Sequence, residues 1–477
     1  MGKEISFHFG TDGVRGTIDK DFNERLIAVL AESTFRYWSR RYGLRRVLIG
    51  YDVRRKSRNY AGIVASVAAE HGIDAVITER PTPTPVVAWF GSHFGFDLII
   101  QITASHNPPI YNGFKVITSR GAPAPDEDTT EIERLYEEEW QDIIKSISSI
   151  KIVKPQLIDP NPEYINHVVN EALSMFKPRT KLRVLVDPLF GTSINYTGKI
   201  LRELGMDVTE IHNNYDPDFG GRNPNPEPEN IGDTIEEVMG KGYDMGVAHD
   251  CDADRIAAID PVHGYLSPNN VISIVLENLA RMGIVKRGVA RAVSTTHIVD
   301  LIAGKYGLRV YETPVGFKHS VKYLISGDAE VAGEESSGLA YSWHVPDKDG
   351  IYTAAFLTAI ASEYGGLANA FDEVIRKYGR SFYRRVDLPF SNGKEFVSRS
   401  RDAIIGRLNE LGNVEQVITI DGIKVVFSDN SWILIRGSGT EPIIRIYAEV
   451  FTQERLDKLI NYTISLIRSL ANDGADS

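Results

Sequence analysis

The chain has 477 residues, of which 42% are hydrophobic and 25% charged, and its formal net charge is −11. That length allows about three domains, and the composition excludes a disordered, collagen-like or disulfide-scaffold chain. The acidic balance argues against nonspecific nucleic-acid binding, which needs a basic footprint, yet a local ring of Arg and Lys can still hold a small anionic substrate. The single cysteine, Cys251, permits no intrachain disulfide and no Cys-based zinc site, so a reducing, cytoplasmic setting is expected. The Asn-x-Thr triplets at Asn195 and Asn461 then read as chance. No apolar run approaches a membrane span, and the first residues lack the apolar stretch of a signal peptide. Met1 to Ser6 fits a myristoylation pattern, which is discounted because one acyl chain without a basic cluster anchors poorly. No membrane and no nucleic-acid partner is expected.

In chain order, the first feature is the loop Phe9-Gly10-Thr11-Asp12-Gly13-Val14-Arg15-Gly16. Exposed N–H groups, hydroxyls and a bidentate guanidinium suit a phosphate. Three segments then share one grammar. The first runs Arg46–Gly50, a helical stretch, Gly72–Ile77 and Phe96–Ile100; the second Leu182–Val186, Gly205–Val208 and Tyr243–Val247; the third Val289–Val293, Gly307–Val310 and Ala329–Ala332. Short β-branched runs alternating with helical stretches predict α/β units on mixed or parallel sheets. Each third run leads into a polar cluster: Thr103-Ala104-Ser105-His106-Asn107-Pro108, Asp250-Cys251-Asp252-Ala253-Asp254-Arg255 and Gly333-Glu334-Glu335-Ser336-Ser337-Gly338. Ligands of α/β sheets bind past the carboxyl ends of strands, so three loops are expected to face one cleft. The last hundred residues predict an α+β domain. It has a hairpin at Asp421-Gly422, strands around Arg436-Gly437-Ser438-Gly439-Thr440-Glu441-Pro442, and a closing helix near 452–470. The expected domains are 1–150, 151–260, 261–378 and 379–477, with linkers near 149–162, 259–268 and 378–392; the acidic stretch 131–139 reads as a solvated helix face.

Asp250, Asp252 and Asp254 put three carboxylates within five residues. Their repulsion is relieved by a dication, and hard oxygen ligands favour Mg²⁺, Mn²⁺ or Ca²⁺ over zinc. The EF-hand pattern is not met. Arg255 adds a cation suited to phosphate. Ser105 is a poor nucleophile until activated, and Asn107-Pro108 fixes a turn beside it. There is no Gly-x-Ser-x-Gly elbow, and adjacent Ser105 and His106 do not readily meet in triad geometry. Lys115, ten residues on, is a candidate base or phosphate contact. No Walker A or Gly-x-Gly-x-x-Gly pattern is present, which removes support for nucleotide kinases and dinucleotide enzymes.

Together the four clusters, in order over residues 7 to 450, resemble the α-D-phosphohexomutases, the phosphoglucomutase and phosphomannomutase family. The resemblance implies three tandem α/β domains and a C-terminal α+β domain around a central cleft. It implies that Ser105 is phosphorylated, and that its phosphate oxygen with Asp250, Asp252 and Asp254 holds Mg²⁺. Arg15, His106 and Lys115 match positions that transfer protons or stabilise charge. Glu334 and Ser336 would take sugar hydroxyls. Arg436, Ser438, Gly439 and Thr440 would hold the phosphate that is not being transferred. Thr313, Gly316 and Lys318 of Thr313-Pro314-Val315-Gly316-Phe317-Lys318, with Arg255, Lys348 and Arg445, match further substrate positions.

The implied reaction interconverts hexose 1-phosphate and hexose 6-phosphate through a hexose 1,6-bisphosphate, which also serves as activator. Phosphoryl transfer needs positioning, charge neutralisation and exclusion of water, which a cleft closed by a mobile fourth domain provides. The Glu-Glu-Ser of the third loop looks more like glucomutases than like dual-specificity or glucosamine enzymes. Mannose or glucosamine phosphates remain alternatives. A non-catalytic bisphosphate-binding regulator and a metal-dependent phosphatase are the more distant ones. Two residues depart from the family pattern. Cys251 stands where glycine is common, its small thiol expected to point away from the ion, and Gly437 stands where proline is frequent, implying a more mobile loop. The partner is a small phosphosugar, and the protein a monomer or small homo-oligomer.

Overall fold

The β-branched runs form parallel strands joined by helical crossovers in the computed structural model, which describes residues 5–10, 13–336, 338–438 and 441–473. In the first unit Asp74–Thr78, Arg46–Tyr51 and Leu98–Ile102 lie side by side and parallel, with Tyr111–Thr118 returning antiparallel beside the last. Val14–Thr17 pairs beyond that strand, and Gln156–Ile158 takes the other edge. The second unit repeats the order with Asp207–Glu210, Arg183–Asp187, Met245–His249 and antiparallel Ile256–Asp260, then adds Gly264–Leu266. The third repeats it with Arg309–Thr313, Gly288–Ala292, Val331–Gly333 and antiparallel Leu339–Tyr341. Central strands such as Leu98–Ile102 and Met245–His249 are buried along their whole length, as expected for parallel strands covered on both faces. In all three units the loop that leaves the third parallel strand and returns as the antiparallel one holds the polar cluster, at 103–110, 250–255 and 334–338.

One continuous core joins these units. Trp89 of the first, Tyr164 and Leu201 of the second, and Leu276, Tyr352 and Phe356 of the third belong to the same buried cluster. The C-terminal unit has a core of its own, around Phe396, Ile404, Ile433, Ile446 and Ile460. Its five-stranded antiparallel sheet runs Phe382–Pro389, Ile443–Val450, Trp432–Gly437, Ile423–Phe427, Val414–Ile418. Helix Gln453–Asp473 packs against it. The expected hairpin is present, with Gly422 at φ 87° in a position that favours glycine. The fold class is as expected, three α/β units followed by an α+β unit. This last unit seats on the third through a small apolar patch of Val293, Val426, Trp432, Leu434 and Tyr447. Buried polar contacts complete the seat. Lys424 Nζ donates to the Val293 carbonyl at 2.6 Å. Glu449 accepts from the His297 N–H at 2.8 Å and from Trp432 Nε1 at 2.9 Å.

The three stretches read as linkers are partly strand: Gln156–Ile158, the end of Ile256–Asp260 with Gly264–Leu266, and Phe382–Pro389. Gln156–Ile158, Gly264–Leu266 and Phe382–Pro389 are edge strands. The last, Phe-Tyr-Arg-Arg-Val-Asp-Leu-Pro, has the charges and terminal proline that protect an edge, which makes it read as loop. The acidic stretch lies on helix Asp126–Ile147, where Glu139 pairs with Arg36 at 3.0 Å and with Arg40 at 2.5 Å.

Candidate active site

The serine loop is held from below by backbone contacts. Ser105 has φ 50°, a left-handed conformation uncommon for a residue with a side chain. Its N–H donates to Thr103 Oγ1 at 2.9 Å. The Arg54 guanidinium fills the underside of the loop, donating to the carbonyls of Asn107 (2.6 Å), Pro108 (2.8 Å) and Tyr111 (3.1 Å), and also to that of Ser105. Arg54 is paired with Asp52 at 3.1 Å, both side chains fully buried. The returning strand passes so close that a Cβ on Gly113 would lie 2.3 Å from the Thr103 carbonyl oxygen. The result is a fixed hydroxyl: Ser105 is 1% exposed. Its Oγ donates to Asp250 Oδ2 at 3.0 Å and lies 3.4 Å from His106 Nδ1. Arg15 reaches the same loop, donating to Asn107 Oδ1 at 2.6 Å.

The second loop brings its carboxylates to the same place. One oxygen from each of Asp250, Asp252 and Asp254 lies within 4.8 Å of the others, and all three residues are buried. Ala253 at φ 57° turns the chain so that alternate side chains converge. Three cations surround them, and a fourth, Arg15, stands on the adjoining serine loop. Lys115 Nζ donates to Asp252 Oδ2 at 2.9 Å and to Asp254 Oδ2 at 3.4 Å; Lys348 Nζ lies 3.1 Å from Asp254 Oδ2. Arg255 Nε stands 3.9 Å from Asp254 and 4.0 Å from Asp250, and Arg15 is held through Asn107. Thr84 adds a 2.6 Å hydrogen bond to Asp252 Oδ2.

The charges do not balance evenly. Burial, then repulsion from Asp254 and Asp252, pushes the Asp250 carboxyl well above the usual range. Burial acts the same way on Asp254, but Lys348, Lys115 and Arg255 outweigh it and hold that carboxyl low. Burial, with Arg255 and Arg15 close by, pushes the His106 imidazole well below its usual range. Asp252 Oδ1 and Asp254 Oδ1 are buried without a hydrogen-bond partner. Unpartnered carboxylate oxygens beside a carboxyl under like-charge strain fit a hard divalent ion, with Asp250, Asp252 and Asp254 as oxygen ligands.

The third loop meets this cluster through Lys348. A Cβ on Gly338 would lie 2.1 Å from Lys348 Cδ, so the loop rests on the lysine stem, and Phe317 faces the ammonium at 5.9 Å. Glu334 is buried, accepting from the Gly316 N–H and from Ser336 Oγ, each at 3.0 Å. In the fourth unit Arg436 donates to Asp421 Oδ2 at 2.6 Å, and the same oxygen accepts from the Val315 N–H at 3.1 Å. Ser438 Oγ accepts from the Glu441 N–H at 3.1 Å, and Arg445 pairs with Glu441. Gly439 and Thr440 lie outside the described residues, as do Thr11, Asp12 and Ser337.

Residues 6–142, 162–264 and 267–378 match the phosphoglucomutase/phosphomannomutase alpha/beta/alpha domains I, II and III, and residues 396–464 match the C-terminal domain of the same family. The chain belongs to the phosphoglucomutase/phosphomannomutase family. A Thermococcus kodakarensis phosphoglucomutase/phosphomannomutase is 31% identical over 96% of this chain and 98% of its own. A Methanosphaera stadtmanae protein assigned as a phosphoglucosamine mutase is also 31% identical, over 96% and 97%. A crystal structure of a Thermus thermophilus protein assigned as a phosphomannomutase superposes with a TM-score of 0.80 at 28% identity, covering 97% of this chain and 99% of that one. The chain is therefore an enzyme of the phosphohexomutase class, an intramolecular phosphotransferase. Among the described residues no helix is long and apolar enough to cross a membrane.

Within this family frame the structure gathers Ser105, His106, Lys115, Asp250, Asp252, Asp254, Arg255 and Lys348 around one point, and brings Arg15 to it through Asn107. Two expected substrate residues are engaged by protein groups in this structure. Lys318 Nζ donates to Asp126 Oδ1 at 2.7 Å, tying the third unit to the first. Thr313 is buried, its hydroxyl directed at Pro314 O (3.1 Å), Arg291 O and Ser320 Oγ (each 3.3 Å). Cys251 packs with Val53 and Phe219, its thiol 3.3 Å from Asp52 Oδ2, pointing away from the carboxylates. Gly437 has a packing reason: a Cβ there would lie 2.2 Å from the Lys394 nitrogen. Arg54, Asp52 and Thr84 are not among the residues that the sequence pattern picks out. Asp52 and Arg54 lie just past the carboxyl end of the central strand Arg46–Tyr51, whereas the polar clusters that signal the site all follow the third strand of a unit.

Proposed function

We propose that the protein interconverts the 1- and 6-phosphates of a hexose, with glucose the favoured sugar, through a phosphorylated Ser105 and a hexose 1,6-bisphosphate. The observation that carries this reading is the 3.0 Å contact between Ser105 Oγ and Asp250 Oδ2, which sets a buried hydroxyl at the rim of a carboxylate triad ringed by Lys115, Lys348 and Arg255. A free sugar hydroxyl oxygen attacks the phosphorus on Ser105, the Oγ–P bond breaks, and the sugar hydroxyl's proton ends on Oγ. His106, 3.4 Å from Oγ, and Lys115, on the adjoining carboxylates, are the groups we assign to relay that proton. Arg15 and Arg255 offer forked donors to the equatorial phosphoryl oxygens. Mg²⁺, held by Asp250, Asp252 and Asp254, would neutralise charge on the transferring group. The bisphosphate then reverses, and the second transfer returns a phosphoryl group to Ser105. Glucose is favoured by the Glu334-Glu335-Ser336 sequence; the named relatives include mannose and glucosamine enzymes. The deciding experiment is a coupled assay for glucose 6-phosphate from glucose 1-phosphate with a trace of glucose 1,6-bisphosphate, beside mannose and glucosamine 1-phosphates. Phosphate release without isomerisation would overturn the mutase reading.

Removal of the metal is expected to stop turnover while the fold persists. EDTA should abolish activity and Mg²⁺ restore it. Asp252→Asn keeps shape but removes a charge, and should lower kcat at least about 100-fold, with a thermal midpoint near that of the parent. A variant that unfolds without metal dependence would make the loop structural.

The two outer loops are expected to fail differently. Glu334 is oriented by Gly316 and Ser336, so it offers a fixed acceptor to vicinal hydroxyls. A misplaced hydroxyl leaves a buried partner unpaired, at a cost of about 1–3 kcal/mol. Glu334→Gln should therefore blur the choice between glucose and mannose phosphates. Arg436→Ala should lower kcat/KM for both sugars about equally, because the idle phosphate is common to them. The reverse pattern in kcat/KM would exchange the roles of the two loops.

A further inference from the structure

A second group of metal-ligating side chains lies apart from the carboxylate triad, where the three α/β units meet. His167 and Glu171 are four residues apart on helix Asn161–Met175 and so share a face. His344 comes from the turn after Leu339–Tyr341 in the next unit. One ligand atom from each lies within 4.8 Å of the other two. His167 Nε2 is 3.0 Å from His344 Nδ1 and 3.3 Å from Glu171 Oε2. A tetrahedral zinc with ligands at about 2.1 Å has ligand–ligand edges of about 3.4 Å, so the separations are near those of a site, and the two imidazoles must turn from their mutual hydrogen bond to aim at one ion.

The outer contacts are already those of a metal site. His344 Nε2 lies 2.8 Å from Asp349 Oδ2, and both side chains are fully buried. A carboxylate only accepts, so Nε2 carries the hydrogen and Nδ1 turns its lone pair toward His167 and Glu171. Tyr164 OH fixes the same Asp349 oxygen at 2.6 Å, and Tyr352 OH fixes Glu171 Oε2 at 2.6 Å. Each ring is clamped by stacking on a neighbour, His167 on Trp89 of the first unit at 4.7 Å and His344 on Tyr352 at 4.1 Å, while the two imidazoles lie edge to edge, their planes 9° apart. Entry is open, because His167 and Glu171 are 22% and 26% exposed while His344 is sealed.

We propose that His167 Nε2, His344 Nδ1 and Glu171 Oε2 bind one zinc-class divalent ion, with solvent as the fourth ligand, as a staple between the second and third units. Without the ion, the His167 Nε2–H donates to His344 Nδ1. On binding, that hydrogen moves through solvent to His167 Nδ1, so both imidazoles ligate as neutral rings. Nitrogen donors select this ion over Mg²⁺, which prefers the all-oxygen triad.

The test uses the full chain, stripped with chelator and held in excess Mg²⁺ to fill the triad, then titrated with Co²⁺ as the visible probe. One Co²⁺ per chain should give the intense bands of four-coordination, displaced by one equivalent of Zn²⁺, which should also raise the thermal midpoint. His167→Gln and Glu171→Gln should each weaken Co²⁺ binding at least about tenfold, with Mg²⁺-supported turnover within about twofold of the parent. Asp252→Asn should leave the bands intact. Bands lost in Asp252→Asn but kept in His167→Gln would place the ion in the triad and overturn the proposal. So would a titration giving only the weak bands of six-coordinate Co²⁺, which would leave the cluster a hydrogen-bonded pair of imidazoles.

Discussion

Ser105→Ala is expected to lower mutase turnover by at least about four orders of magnitude, because the reaction loses its phosphoryl carrier. The fold should survive. The change removes one oxygen from a buried loop, and Asp250 keeps the Arg255 N–H at 3.1 Å as a donor to its other oxygen. Thermal unfolding should therefore move by only a few degrees while the coupled assay falls to background. Intact-mass spectrometry should show a phosphate adduct on a share of the parent protein and none on Ser105→Ala. An adduct that persists on another serine, or a variant that still turns over, would remove Ser105 from the reaction.

Arg54→Leu is expected to cost about 3–5 kcal/mol, the range for breaking one side of a buried ion pair. Asp52 would stay buried without its partner, and the carbonyls of Ser105, Asn107, Pro108 and Tyr111 would lose their shared donor. Turnover should fall with stability, since those carbonyls fix the loop that presents the hydroxyl. Arg54→Lys separates the two effects. It restores a charge opposite Asp52 but offers a compact ammonium in place of the planar fork, so it should recover more of the urea midpoint than of kcat. Equal recovery of both would mean that charge alone matters at this position.

The sequence was most legible where chemistry is contiguous. Asp250, Asp252 and Asp254 declare themselves because one loop supplies all three carboxylates, and the repeated strand grammar located that loop correctly. The support beneath the site was not legible. Arg54 meets Ser105 from 51 positions away, and Thr84 meets Asp252 from 168 positions away, separations that leave no local pattern. The ion pair of Lys318 with Asp126 was likewise not legible, since the two residues are 192 positions apart. Edge strands such as Phe382–Pro389 were hidden because the charges that protect an edge are those that mark a loop.

The seat of the fourth unit acts as a lever. Trp432 lies in the apolar patch against the third unit, and Arg436 is four residues along the same strand, about 13 Å away at strand spacing. A rotation of about 10° at the seat would sweep the guanidinium through about 2 Å over that arm. Asp421 moves with Arg436, 2.6 Å away, and its Oδ2 accepts from the Val315 N–H of the third unit at 3.1 Å, so a displacement of that size separates contact from no contact between the two units. If Arg436 grips the idle phosphate, a turn too small to disturb either hydrophobic core is enough to let a bisphosphate loosen, reverse and be caught again.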